Sequence, residues 1–276
     1  MTTTQRSSCG GEPSTARSSS RSLRLAVVGL SPRGSLGRCR RPTGRDGVDV
    51  AAVVLGVVAA RGGAGASTFA ATVARGLAVR TSTALVDLDR ASGGIDVLLG
   101  LEGTDGVRWP DLVGARGDVS GSDVVALLPR WGRCAVLSSD RFRPGVPEPA
   151  VVADVLHGLC SALGAVVLDL DRAAVVTGES LVAVCDSVLV VAPRDLRSVA
   201  GVLAMRPFLD GPDVGLVVRG PAPGGLGASE LAAAVDLPVL ATLRRDRRLA
   251  PALERGGPPA RGRTARTAAR LVRGVL

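Results

Sequence analysis

Residues 53–68 read VVLGVVAARGGAGAST. An unbroken Val-rich run, a turn with three glycines and a Ser-Thr pair opening a helix-like segment are the order expected of a strand, a phosphate loop and a helix N-terminus. Unpaired N–H groups converge at such a helix start and the helix dipole favours negative charge there, which makes the turn a candidate anion site. Gly62, Gly63 and Gly65 allow the tight turn and a close backbone approach to phosphate oxygens, while Ser67 and Thr68 open the helix. In an intact loop a lysine just before the Ser/Thr reaches the outer phosphates and the hydroxyl holds magnesium. Here that position is Ala66, and no lysine elsewhere can stand in, because all 34 basic residues are arginine.

Short Val-rich runs alternate with helix-like segments from residue 51 onward, the pattern of a parallel sheet covered on both faces. Strands are expected near 53–59, 83–88, 134–138, 165–170, 187–192, 214–218 and 238–242. Helices are expected at 67–79, 149–163, 173–184, 196–206, 228–235 and 247–255. The fold class that follows is α/β, a mostly parallel, doubly wound sheet of about seven strands. No 20-to-50-residue repeat interrupts it.

Acidic residues fall where such a sheet gathers its ligands. The second strand ends in Asp87-Leu88-Asp89 and a later one, AVVLDLD, ends in Asp169 and Asp171, so carboxylates reach the same carboxyl edge as the loop. A carboxylate there can hold a magnesium-bound water, and Ser67, Asp87 and Asp169 are the candidate magnesium set. Each Asp taken singly also suits a helix cap or a turn.

Composition narrows the function classes. With 46% hydrophobic content, 276 residues can bury one sizeable core. Aromatic residues make up 2% and tyrosine is absent, which disfavours the stacking platforms of single-stranded nucleic-acid binders. The net charge of +9 is uneven: residues 1–50 hold nine arginines against Glu12, Asp46 and Asp49, a net of +6. That Ser/Arg-rich segment has the composition of a disordered basic tail with one apolar patch, LRLAVVGL at 23–30, which suits an isolated strand, a shortened domain or an upstream extension. A tail of this charge can be solvated, or attract nucleic acid or an anionic membrane surface. Five widely spaced cysteines with no C-x-x-C pair suggest neither a disulfide framework nor a zinc site, and the sole histidine, His157, lies in a helix-like run where a structural role is expected. No stretch is long enough to span a bilayer and the N-terminus lacks a signal-peptide layout, so a cytoplasmic location is expected. Residues 261–276 read as a basic amphipathic helix, with Arg263, Arg266, Arg270 and Arg273 on one stripe and Ala265, Ala269, Val272 and Leu276 roughly opposite. Such a helix either packs on the sheet or lies on a membrane surface.

These residues resemble the MinD/ParA group of deviant Walker-A ATPases, a branch of the P-loop NTPases. The family pattern K-G-G-x-G-K-[ST]-T is matched from Arg61 through Gly62, Gly63, Ala64, Gly65 and Ala66 to Ser67 and Thr68, and the stretch DLDRASGGIDVLLGLE is similar to its D-x-D segment. Asp169 falls on the Walker-B strand, and CDSVLVVAPRDLRSVAG and LPVLATLRRDRRLAPALERGGPP match later elements, so the likeness runs from about 52 to 260. Within the group the chain looks most like the actinobacterial CpaE-like branch, which includes septum site-determining proteins and proteins encoded beside pilus or secretion machinery. The resemblance implies a nucleotide-binding domain at 51–260, ATP with Mg2+ as cofactor, a homodimer, partners among cell-division or pilus and secretion proteins, and contact with the cytoplasmic face of the membrane.

Departures from the pattern define the chemistry to expect. Ala66 replaces the phosphate lysine, Arg61 the signature lysine that in the family reaches a dimer partner's nucleotide, Val218 an adenine-reading Asn and Arg244 a proline near the base pocket. Asp89 keeps the family position associated with hydrolysis. Losing one charge-assisted contact costs roughly 1.5 to 3 kcal/mol, which weakens a micromolar site to on the order of 10⁻⁴ M. A cation set against transition-state charge is worth about 10³ to 10⁵ in rate, so hydrolysis suffers more than binding. Weak ATP binding with slow or absent turnover is therefore expected, and Arg244, Arg245, Arg247 and Arg248 are candidates to supply the missing charge. The resulting function is a regulatory positioning protein, acting in septum site selection or in localising a pilus or secretion apparatus. The alternatives are an active ATPase of the group and a ParA-like nonspecific DNA-binding partition protein.

Overall fold

A computed structural model of the chain describes residues 52–89, 93–145 and 147–275. The basic N-terminal segment 1–50 with its patch at 23–30, and Leu276, lie outside the described residues. Chain order is β1 (Val53–Ala59), α1 (Ala66–Ala78), β2 (Thr83–Asp87), α2 (Ile95–Leu99), α3 (Gly121–Leu127), β3 (Arg130–Trp131) and β4 (Cys134–Leu137). There follow α4 (Pro149–Ala162), β5 (Ala165–Leu170), α5 (Arg172–Thr177), β6 (Ser187–Pro193), α6 (Leu196–Met205) and β7 (Asp213–Arg219). The last elements are α7 (Ala228–Val235), β8 (Val239–Leu243), α8 (Leu249–Leu253) and α9 (Arg263–Val275).

The strands form one sheet in the order β3-β4-β2-β5-β1-β6-β7-β8. Every neighbouring pair is parallel except the β3–β4 hairpin. Burial on both faces explains why these strands are continuous apolar runs: β5 is buried along its whole length, as is β2. One face is closed by α3 to α7, whose Val155, Leu159, Val202, Met205 and Leu231 meet Val54, Val166 and Val190 of the sheet. The other is closed by α1, α2 and α9, where Phe69, Val73 and Leu77 meet Leu55, Val167 and Leu189. The direction in which strands are added across the sheet reverses at β1, which lies between β5 and β6, and the carboxyl end of such a switch point is where open α/β sheets collect ligands.

The α/β class and the parallel, doubly wound sheet hold. An eighth strand, β3, extends the expected seven; it has two residues, too few for periodicity to register. The helix expected at 173–184 stops at Gly178, which adopts φ +77, and resumes as a turn of 3₁₀ helix at Leu181–Val184. The helix expected at 247–255 is shortened to α8, and α2 and α3 were not expected at all. Helix α9 spans Arg263–Val275, and its buried face is Thr264, Ala268 and Val272 rather than Ala265, Ala269 and Val272. That face packs on α1, with Val272 against Gly76. His157 is exposed on α4, and Cys134, Cys160 and Cys185 are buried free thiols. Burial pushes the thiols of Cys134 and Cys185 up to about 12, which leaves them unreactive.

Candidate functional site: the glycine loop and its two flanks

The loop from Arg61 to Gly65 leaves the carboxyl end of the central strand β1 and enters α1. Its first turn is closed by Ala64 N–H donating to the Arg61 carbonyl at 3.2 Å. Gly65 occupies the N-cap with φ +90, a backbone that only glycine adopts without strain. No side chain caps α1, so the first N–H groups of a 13-residue helix are left to whatever sits on the loop. Ala66 is buried, its methyl part of the apolar core on the α1 side, and nothing from this position reaches outward.

One flank is acidic and deep. Pairing of β2 with β5 sets Asp87 directly beside Asp169, and they are 1% and 2% exposed. Burial, and then the neighbouring Asp87 charge, push Asp169 up to about 8, although the nearby Ser67 hydroxyl pulls the other way. Burial likewise lifts Asp87 to about 6. Its oxygens accept backbone N–H bonds from Ile95 at 2.9 Å and Asp89 at 3.1 Å, so Asp87 organises the chain after β2. Beneath it the buried Trp109 donates its indole N–H to the Asp87 carbonyl at 2.6 Å. Asp89 is partly exposed and its charge raises both buried neighbours. Asp171 instead caps α5, accepting from Ala173 N–H at 2.7 Å, the plain helix-cap use of an Asp at a strand end.

Magnesium uses one or two protein oxygens, several waters and ligand phosphates. Among the described residues no three His, Cys, Asp or Glu side chains converge as a metal cluster. The hydroxyl of Ser67 next to buried Asp169, with Asp87 paired beside it in the sheet, is nonetheless a donor set of the right kind.

The opposite flank is basic and shallow. A cavity of about 500 Å³ runs from Gly63, Ala64 and Gly65 past Thr68 to Arg219, Arg244 and Arg245. Arg219, the last residue of β7, donates from Nη1 to the Ala64 carbonyl at 2.8 Å. Arg219, like Trp109 and Asp195, was not singled out by sequence reasoning; its signal was an arginine at the carboxyl end of a parallel strand in a chain without lysine. Arg244, Arg245 and Arg247 line the cavity but are exposed. Val218 is fully buried in the sheet and presents no polar atom to the cavity.

Arg61 turns away from the loop's interior. Its guanidinium meets Asp195 with Nη2 at 2.7 Å and Nε at 3.1 Å, and donates to the Gly62 carbonyl at 2.9 Å. Asp195 also caps α6 through Ser198 N–H at 2.8 Å, and the Arg61 bonds hold its carboxyl down at about 2.

A central strand, an uncapped glycine loop and flanking carboxylates can now be set against known structures. A ParA family ATPase from Chlorobium tepidum TLS superposes with a TM-score of 0.66 at 17% identity, covering 81% of this chain and 98% of that one. The fold is that of the MinD and ParA ATPases. MinD of Pyrococcus horikoshii OT3, a septum site-determining protein complexed with Mg-ADP, gives 0.63 at 15% identity, covering 81% and 96%. The MinC:MinD cell division complex of Aquifex aeolicus gives 0.63 at 18%, covering 80% and 95%. In sequence the chain is 41% identical over 230 residues to two uncharacterized proteins of Mycobacterium tuberculosis, strains CDC 1551 / Oshkosh and ATCC 25618 / H37Rv. The match covers 82% of this chain and 65% of each relative, so the chain spans less than two thirds of their length. No protein-family model matches it. Among the described residues no helix is long and apolar enough to cross a membrane.

Proposed function

We propose that this chain is a nucleotide-binding regulatory protein of the MinD/ParA family, with a degenerate Walker-A loop, that positions a cell-division, pilus or secretion assembly. The observation that carries it is the loop itself: an uncapped helix start on the central strand, with Ser67 beside a buried Asp169 on one side and a cavity on the other. ATP with Mg2+ is the ligand, its phosphates on the backbone N–H groups of residues 62–68 and the metal at Ser67 and Asp169, with Asp87 as the neighbouring charge. The Mg-ADP complex of the Pyrococcus protein supports the choice of ligand. Ala66 is buried and no lysine exists, so binding is weak and turnover through Asp89 slow or absent. The Aquifex MinC:MinD complex supports a cell-division partner, and the motif resemblance supports a homodimer that nucleotide favours. The CpaE-like branch rests on the motifs of the sequence, and the cytoplasm, including the membrane face, is the location that goes with it.

Titration calorimetry with ATP and Mg2+ tests this reading, with a dissociation constant on the order of 10⁻⁴ M expected. No binding at millimolar ATP, together with a gel-filtration profile that ATP leaves unchanged, would remove nucleotide control. Phosphate release that disappears in Asp89→Ala would make the protein an active ATPase instead. Steeply salt-dependent DNA binding would favour a partition role.

A further inference from the structure

Arg219 is half-buried at the end of β7, on the opposite side of the loop from Ser67 and the carboxylates. A guanidinium carries five N–H donors. One of them holds the Ala64 carbonyl at 2.8 Å, and among the described residues no carboxylate neutralises the charge and no acceptor takes the other four. They open onto the cavity that the loop lines.

The contact with Ala64 has a geometric consequence. A trans peptide sets its C=O and N–H in opposite directions. Fixing the Ala64 carbonyl on Arg219 therefore aims the Gly65 N–H away from the arginine. The guanidinium is also close: a Cβ at Gly65 would stand 3.0 Å from Nη1, so a larger residue there would push the guanidinium back. A full positive charge thus lies against the loop although position 66 is an apolar, buried alanine.

We infer that Arg219 is the cation of this phosphate loop, set on β7 instead of inside the loop, where it orients the Ala64–Gly65 peptide and attracts the polyphosphate of the ligand. The inference rests on the nucleotide-binding reading and names the residue that makes it work. Arg244 and Arg245 differ in kind, since both are exposed and neither is held by a hydrogen bond to the loop backbone as Arg219 is.

Calorimetric titrations of the full chain and of Arg219→Ala, Arg219→Lys and Arg219→Gln with ATP, ADP, adenosine and inorganic tripolyphosphate form the test. Loss of one charge-assisted contact predicts that Arg219→Ala binds ATP, ADP and tripolyphosphate about tenfold to a hundredfold more weakly. Adenosine binding stays within about twofold, Arg219→Lys recovers most of the loss, and the difference shrinks as salt is raised. Arg219→Gln keeps a donor for the Ala64 carbonyl without the charge, so it separates peptide orientation from attraction; its phosphate affinity falls between wild type and Arg219→Ala. Should Arg219→Ala fail to fold by circular dichroism, the Lys and Gln variants carry the test. An Arg219→Ala protein that binds ATP as wild type does, or that loses adenosine and ATP equally, overturns the inference. Wild-type protein that ignores ATP yet binds tripolyphosphate in an Arg219-dependent way sinks the nucleotide reading alone. If it binds neither, both fall.

Discussion

The two flanks of the loop carry opposite charge, and they differ as much in depth as in sign. Asp87 and Asp169 lie in the sheet, almost without exposure, held in register by strand pairing and floored by Trp109. Arg219 is half-buried, and Arg244, Arg245 and Arg247 reach into solvent from the chain that follows β8. Strand pairing fixes the acids before any ligand arrives; most of the arginines are fixed by nothing but their own backbone. The deep side therefore governs stability and proton uptake, and the shallow side governs what the loop attracts.

The largest effect that would break this contrast is expected beneath the acids. Trp109→Ala removes a buried indole and its hydrogen bond to the Asp87 carbonyl, and should cost about 3–5 kcal/mol in chemical denaturation. A loss under about 1 kcal/mol would mean that the acidic flank is not a packed floor.

Next comes pH. Asp87 and Asp169 have values raised from 3.8 to about 6 and about 8, so the folded chain holds protons that an unfolded chain has released. Stability without Mg2+ should then be greatest in acid and fall as pH rises from about 4 through these two values. Thermal midpoints in metal-free buffer between about pH 5 and pH 8.5 check the sign, and Asp169→Asn should flatten the upper part of the curve. A midpoint that climbs across that range would contradict the burial of paired carboxyls. Asp195 acts in the opposite sense: lowered to about 2 by Arg61, its contribution is lost only as pH falls below the ordinary aspartate value.

The smallest effect belongs to Arg61. Its side chain is 34% exposed and its partner Asp195 is 23% exposed, so solvent screens the pair. Arg61→Ala should shift folding stability by at most about 1 kcal/mol, measured in the same denaturant series. A larger loss would make this pair part of the deep core.

Legibility in the sequence followed burial. Val-rich strands such as AVVLDL at 165–170 and the helix 228–235 were readable because a sheet covered on both faces demands unbroken apolar runs, and a helix one apolar side. Strand β3 and helices α2 and α3 were not, since two, five and seven residues give periodicity too little length. In α9 the stripe of arginines was right and the buried face was one residue off at two of its positions, because the packing of α1 chose Thr264 and Ala268 over their neighbours. The loop and the acids were visible as motif; Arg219 was not, because its neighbour in space, Ala64, lies 155 residues away along the chain.

By itself the sequence determined an alternating α/β chain, a glycine loop stripped of lysine and a set of aspartates at strand ends, all local consequences of residue type and order. Which charges act on that loop was settled by long-range packing. Strand register put Asp87 beside Asp169, α6 claimed Arg61 through Asp195, and the crossover to β7 brought Arg219 to the loop backbone. The physical reason is that charge acts through distance and burial, which the chain sets only when the sheet closes.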